Sequence, residues 1–330
     1  MKDRLKRIAW LRRIVKRGRI VIEYLHDIRH LNRHMLDVSS DPARRQYEIL
    51  LLVHSLEKGL SYRNPRAFGF EKARELARLL DALPTDERHS TAVRMALGAL
   101  SAWLDFHDDR PDDSPTTVET VRGFLDEWEA RGAQRLPAGV IIPEAPSDAA
   151  FAAEAFAALA STRHSIRHYG PELVDDEAIA RAVAVAKTSP SACNRQMVKL
   201  RVFDEPEQKR ALYSTLLGTG GLDYETGRYG VVTYDASSLT YYGERNQGFL
   251  NAGLFTMTLV LAFHSQGIGT CLLQFSNSYA AERRLAKTLG LPPAERIAVG
   301  IGIGNPVATS PVPASVRKPT GEIFSVRTEG

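Results

Sequence analysis

The chain has 330 residues, 44% of them hydrophobic and 25% charged, and 43 Lys and Arg against 39 Asp and Glu leave a net charge of +4. That length suggests one or two domains with enough apolar material for a sizeable core, and the modest charge gives no ground for a nucleic-acid partner. Two cysteines, Cys193 and Cys271, exclude a disulfide scaffold and point to a reducing compartment, and no Cys/His pattern has zinc spacing.

Basic charge is concentrated at the start. Lys2, Arg4, Lys6, Arg7, Arg12, Arg13, Lys16, Arg17 and Arg19 precede the first glutamate, Glu23, with Asp3 the only acid among them. Leu5, Ile8, Leu11, Ile14, Val15, Val21, Ile22, Leu25 and Ile28 recur mostly at steps of three and four, which predicts a basic amphipathic helix. Such a helix either makes peripheral contact with an anionic membrane or packs on its own protein with a solvated basic face. No uninterrupted apolar run reaches the ~20 residues of a membrane span, and no apolar signal core follows the basic start. A cytoplasmic protein is therefore expected, membrane-associated if the helix serves that end.

Asp41-Pro42 reads as a helix start, and the pattern it opens breaks at Gly59 and at Asn64-Pro65. Within it, His54 and Glu57 share one helical face, read either as a cap and ion pair or as part of a substrate pocket. Further helices are predicted at about 70–83, 91–107 and 117–131, the last two separated by the polar, turn-rich stretch 108–115. Residues 1–135 thus form an all-helical region. Residues 136–150 are proline-rich and read as a linker, in which Val140-Ile141-Ile142 is either a strand or a docking segment.

From 151 onward helices alternate with strands. Helices are predicted at 151–160, 175–187, 246–266 and 280–289, the last two closed by Gly267 and Gly290. Strands are predicted at 199–203, 229–234 and 296–303, with 270–275 extended. This alternation argues for a layered domain of helices on a sheet over residues 151–330.

Four features of this region carry chemistry. Arg163-His164-Ser165-Ile166-Arg167 places two guanidiniums, an imidazole and a hydroxyl close together; read alone, it is either a solvated basic patch or an anion site. Ser189 to Gln196 is a polar loop in which Asn194 and Gln196 could hydrogen-bond a ring edge. Gly267-Ile268-Gly269 leads into Leu272-Leu273-Gln274, and Arg317-Lys318-Pro319 lies near the C-terminus.

Taken together, Arg-x-Ser-x-Arg, Pro-Ser-x-x-Asn-x-Gln, Gly-x-Gly and a basic-Pro tail, in this order and spacing, resemble the nitroreductase family of FMN-dependent NAD(P)H oxidoreductases. The resemblance covers slightly over half the chain. It implies an α+β, three-layer α/β/α sandwich, here preceded by the helical region. By matched position it implies that Arg163, His164 and Ser165 hold the FMN phosphate and ribityl chain. Arg167 then sits near the pyrimidine edge, where its charge favours the anionic reduced flavin. Asn194 and Gln196 contact the ring, Leu272, Leu273 and Gln274 lie near its reactive N5 edge, and Arg317 with Lys318 binds phosphate.

The resemblance further implies NAD(P)H as reductant, ping-pong transfer to a small organic acceptor, no catalytic residue besides the flavin itself, and a homodimer with the flavin between subunits. Tyr241 and Tyr242 are read as facing the substrate or as an interface loop. The chain departs from the family at Met197-Val198, Ser315, Leu272 and Phe275, which bears on the substrate more than on FMN. Two alternatives stand beside this reading. One is an FMN-dependent dehydrogenase or oxidase on a biosynthetic intermediate; the other is a non-catalytic flavin-binding module whose helical half binds a membrane or partner. Gly300 to Pro306 looks like a dinucleotide loop but has the wrong register, and its glycines are expected to permit close approach of neighbouring backbone.

Overall fold

The computed structural model describes residues 2–36, 41–63, 66–108, 114–222, 225–275 and 277–326. The expected break at Asn64-Pro65 and most of the turn 108–115 lie outside the described residues. The first half is helical as expected: α1 (Lys2–Leu31) running into a π-helical turn (Asn32–Leu36), α2 (Pro42–Leu60), α3 (Phe70–Asp81), α4 (Thr91–Asp108) and α5 (Pro115–Ala130). Asp41 caps α2 by accepting the Ala43 N–H at 2.9 Å, with Pro42 at the first helical position, where no N–H is needed. Leu56, Leu76, Leu80, Leu97, Leu100 and Trp103 close the bundle core.

Residues 136–150 do not form a strand. Residues 136–139 lie along α4, where the Leu136 N–H donates to the Arg94 carbonyl at 3.0 Å and Gly98 lets the Leu136 backbone sit directly on the helix. Val140, Ile141 and Ile142 remain exposed.

The second half comprises α6 (Ala149–Thr162), α7 (Asp176–Ala186), β1 (Val198–Phe203), α8 (Pro206–Thr215), β2 (Arg228–Asp235), α9 (Gln247–Ser265), β3 (Gly269–Leu273), α10 (Tyr279–Thr288) and β4 (Glu295–Gly304). Helix α8 has no counterpart in the sequence reading; its short, charge-rich segment buries only Leu212 and so shows little periodicity. Among the described residues the sheet has four strands in the order β1-β2-β4-β3, every neighbouring pair antiparallel.

One face of the sheet packs on α7 and α9 through Val232, Ile301 and Ile303. The other packs on α8 and α10 through Tyr229, Val231, Cys271, Leu273 and Ile297. Ile297 and Ile301 share parity along β4 yet face opposite ways. A bulge makes this possible, since Val232 pairs with Val299 and Thr233 with Ile297, leaving Ala298 as the extra residue. The Gly300–Gly304 region is strand β4. There the close neighbours are side chains rather than backbone: a Cβ on Gly300 would lie 2.5 Å from Leu216, and one on Gly304 would overlap the Tyr169 ring.

The helical half and the sheet domain share one core. Met197, Tyr234, Ala236 and Leu239 are buried among the residues of α2 to α5. Arg44 donates to the carbonyls of Leu239 (2.6 Å) and Ser237 (3.0 Å), and the Tyr47 hydroxyl donates to Asp235 at 3.3 Å. The stretch Tyr242–Ser265, containing α9, is long and apolar enough to cross a membrane by length and composition, although the sequence reading found no such run. More than half of its most apolar 18-residue window is buried inside the fold, which makes it the central helix of the domain.

Candidate functional site

The cluster at 163–167 is fixed by the sheet edge. Arg163 ends α6 with extended backbone angles, and the chain then runs alongside β3, with Ser165 bridging Thr270 in parallel and the Ile166 N–H donating to the Thr270 carbonyl at 2.9 Å. Gly269 allows this approach, because Ile166 packs where its Cβ would be. Arg163, His164, Ser165 and Arg167 are all half-buried. The only hydrogen bond described for either guanidinium is a long one, Arg167 to the Ser165 carbonyl at 3.4 Å, and neither has a carboxylate partner among the described residues.

Their charge is felt locally. Burial pushes the Cys271 thiol up, and Arg167 and Arg163 both act against that shift. Burial, then Arg163 and His164, lowers the pKa of His264, whose Nε2 lies 2.9 Å from the Thr162 hydroxyl. Two uncompensated guanidiniums in a half-buried position form a donor set suited to an anion.

β3 is an edge strand, and its outer edge is partly covered. Thr270 pairs with the 165–166 segment and Gln274 pairs with Leu217 at 2.9 and 3.1 Å. By strand alternation the Leu272 N–H and C=O point the same way, into the gap between these contacts. Its side chain is exposed, whereas Leu273 is buried on the opposite face and Gln274 is exposed. A backbone N–H with no backbone acceptor among the described residues thus lies on the same edge as the two arginines.

The loop carrying Asn194 and Gln196 is built differently. Cys193, Asn194 and Gln196 all adopt left-handed backbone angles (φ 51°, 51° and 52°), a costly arrangement for non-glycine residues that needs outside support. Arg195 supplies it. Its side chain is fully buried, donating to the Ala192 carbonyl at 3.0 Å, to the Ser238 carbonyl, and to both Glu244 oxygens at 2.6 and 2.9 Å. Glu244 also accepts from the Thr240 N–H (2.8 Å) and hydroxyl (3.0 Å). Burial raises the Glu244 carboxyl, but the hydrogen bonds from Arg195 and Thr240 outweigh it and hold the group below the ordinary glutamate range.

Met197 then anchors the loop in the core it shares with the helical half, and α2 lies against the 192–194 and 236–238 turns. The N-terminal helices therefore position this loop. Asn194 and Gln196 are both exposed, and the Gln196 amide nitrogen donates to the Asn194 carbonyl at 3.4 Å.

Beside the loop, a cavity of about 290 Å³ lies between α7, β1 and α9, lined by Lys187, Ser189, Ser191, Gln196, Asn251 and Phe255 among others. The buried Asn251 accepts from Gln247 at 2.9 Å, while its amide nitrogen lacks a partner among the described residues. Tyr241 and Tyr242 are exposed and meet edge to face at 5.8 Å. Arg317 and Lys318 are exposed on the tail, where Arg317 donates to the Ser315 carbonyl and Lys318 pairs with Glu322 at 3.4 Å.

The structure thus joins the 163–167 segment to the 270–274 segment. Among the described residues no hydrogen bond or ion pair links either to the Ser189–Gln196 loop or to the tail. The sequence reading passed over Arg195 and Asn251. Nothing in the sequence marks an arginine whose partner lies 49 positions on as buried.

Residues 160–225 and 234–305 match the Nitroreductase family. No curated protein matches the chain. Solved structures similar to it include a nitroreductase family protein of Streptococcus pneumoniae, at 22% identity over 52% of this chain and 100% of that one, with a TM-score of 0.44. A candidate nitroreductase of Desulfovibrio desulfuricans in complex with FMN is 22% identical over 53% of this chain and 97% of its own, with a TM-score of 0.45. A candidate NAD(P)H:FMN oxidoreductase of Staphylococcus epidermidis is 15% identical over 57% and 100%, with a TM-score of 0.46.

Proposed function

We propose that the protein, whose residues 160–225 and 234–305 match the Nitroreductase family, is an FMN-dependent oxidoreductase, reduced by NAD(P)H and passing the electrons to a small organic acceptor. The observation that carries this reading is the pairing of Ser165 with Thr270, which sets two guanidiniums without counter-charges beside an open backbone edge at Leu272. When bound, FMN would take hydride from one partner and deliver it to the next in two separate half-reactions. Arg163, His164 and Ser165 would bind the phosphate end. Arg167 would offset negative charge that accumulates on the ring system, and the Leu272–Gln274 backbone would orient the ring.

The separate placement of the Ser189–Gln196 loop and of the Arg317–Lys318 tail supports a homodimer in which a partner subunit completes the site. Helix α6 has an apolar sequence with no buried residue, and Phe151 and Phe156 are 69% and 61% exposed. On α9, Phe249, Leu250, Leu254 and Met257 are exposed as well. Apolar surface of this extent is what an obligate interface covers.

The visible spectrum of the purified protein is the first test, because bound flavin colours it directly. Arg163→Ala should weaken FMN retention by about one to two orders of magnitude, as hydrogen bonds to charged groups contribute about 1.5–3 kcal/mol. A variant that stays fully yellow after dialysis refutes the assignment. Anaerobic mixing with NADPH or NADH then tests the reductant: flavin that is not bleached by either favours a dehydrogenase or oxidase acting on its own organic substrate.

A further inference from the structure

The end of α1 and the π-helical turn after it carry His26, Arg29, His30, Arg33 and His34 at i, i+3, i+4, i+7 and i+8, the spacing of a core-facing stripe built from cations and imidazoles. Together with Tyr279, Arg283 and Pro293 these residues line a cleft of about 200 Å³. The π-helical turn Asn32–Leu36 forms its far end, a backbone irregularity often found where function places side chains.

Three of the carboxylates around the cleft are committed elsewhere, while Asp235 and Asp41 pull the pKa of His34 upward against the lowering. Glu23 accepts the Tyr279 N–H at 2.7 Å, while Asp27 and Glu282 both pair with Arg296, Asp27 at 3.1 Å and Glu282 at 2.7 and 2.8 Å. Arg283 donates to the Pro293 carbonyl at 3.3 Å, and Arg29 and Arg33 have no carboxylate partner among the described residues.

His30 is the informative member. It is 3% exposed and lines the cleft. Its Nδ1 lies 3.4 Å from the Tyr279 hydroxyl, and its buried Nε2 has no hydrogen-bond partner among the described residues. Burial, then Arg296, His34 and Arg283, drives its pKa down to about 3, while the Ala294 backbone opposes the shift. His34 is lowered too, by burial and by Arg33 and Arg283. Three arginines around one cleft, none with a carboxylate partner among the described residues, form a cluster that an anion would satisfy. A cation would not, and among the described residues no group of side chains is arranged to hold a metal.

We propose that this cleft is a binding site for a phosphoryl group, supplied either by a soluble phosphorylated ligand or by a phospholipid headgroup. Its volume falls below the roughly 300–1,000 Å³ of sites that enclose a whole small molecule, so it takes the phosphoryl end and leaves the remainder outside. The site is separate from the Arg163–Arg167 cluster. Arg296 borders it, whereas Ile303, seven residues along β4, pairs with the Thr270 that meets Ser165, a span of about 23 Å at strand rise. A headgroup source is open because α1 upstream of the cleft exposes Ile14, Val15, Ile20, Val21 and Ile22 among basic residues.

The test uses the full-length protein with excess FMN, titrated with inorganic pyrophosphate in one arm and sedimented with phosphatidylglycerol-containing vesicles in the other. The expected result is saturable binding in at least one arm, weakened about tenfold or more by the exposed pair Arg29→Gln/Arg33→Gln. Loss in the pyrophosphate arm identifies a soluble ligand, and loss confined to vesicles identifies a headgroup. If the double variant fails to fold, Arg283→Gln decides by the same measure. Binding in neither arm, or binding unchanged in the folded variants, overturns the proposal.

Discussion

Replacing Glu244 by Gln and Arg195 by Met should have unequal costs, and the structure sets the order. Arg195 is wholly buried; in Glu244→Gln it keeps the Ala192 and Ser238 carbonyls and one uncharged amide oxygen as acceptors, but no counter-charge. Breaking a buried pair this way costs about 3–5 kcal/mol, because a charge is left uncompensated. Glu244 is better placed to survive the converse loss. It retains 13% exposure and both Thr240 donors, so Arg195→Met forfeits charged hydrogen bonds worth about 1.5–3 kcal/mol and strands no fully buried ion. In the double variant the effects should not add, since each change removes the same interaction. Urea unfolding of the four proteins measures this through the midpoint at constant slope. A larger cost for Arg195→Met than for Glu244→Gln, or simple additivity, would refute the reasoning. Because Asn194 and Gln196 flank Arg195 in strained backbone, both single variants should also loosen the loop, seen as faster proteolysis near residue 194.

Acid should act through the same pair: with Glu244 held below its ordinary 4.5, its contribution is complete above that value and is lost as pH falls through the lower folded value, so Glu244→Gln should flatten the acid limb of stability. His30 acts over a higher window. It titrates near 3 when folded and near 6.5 when unfolded, so stability is full above about pH 6.5 and falls toward pH 3 by at most about 1.4 kcal/mol per pH unit, a slope that His30→Gln should remove in unfolding curves at stepped pH. Gly304→Ala should cost about 1–3 kcal/mol in thermal or urea unfolding, because the added methyl overlaps the buried Tyr169 ring; a neutral result would mean the ring can move aside. Phe151→Glu/Phe156→Glu should lower the mass measured by light scattering toward that of one chain, and an unchanged mass would refute α6 as part of the dimer interface.

What the sequence determined by itself was mostly local. Helix starts at Asp41-Pro42 and Asp175 and helix stops at Gly267 and Gly290 were legible because caps and left-handed glycines act within a few residues. The β-branched strands and the order of the motifs were legible for the same reason. The cationic row from His26 to His34 was also present as a spacing, but spacing alone does not say whether α10 or solvent faces it.

Only the tertiary structure decided the long-range relations. It laid Ser165 against Thr270, 105 positions later, and paired Arg195 with Glu244 beneath the loop that carries Asn194 and Gln196. It also closed one core over the helical half and the sheet, so that Met197 and Tyr234 pack among α2 to α5. Such contacts depend on how the chain closes on itself. Burial and counter-charge then turn an ordinary arginine into a structural ion and hold an ordinary histidine neutral.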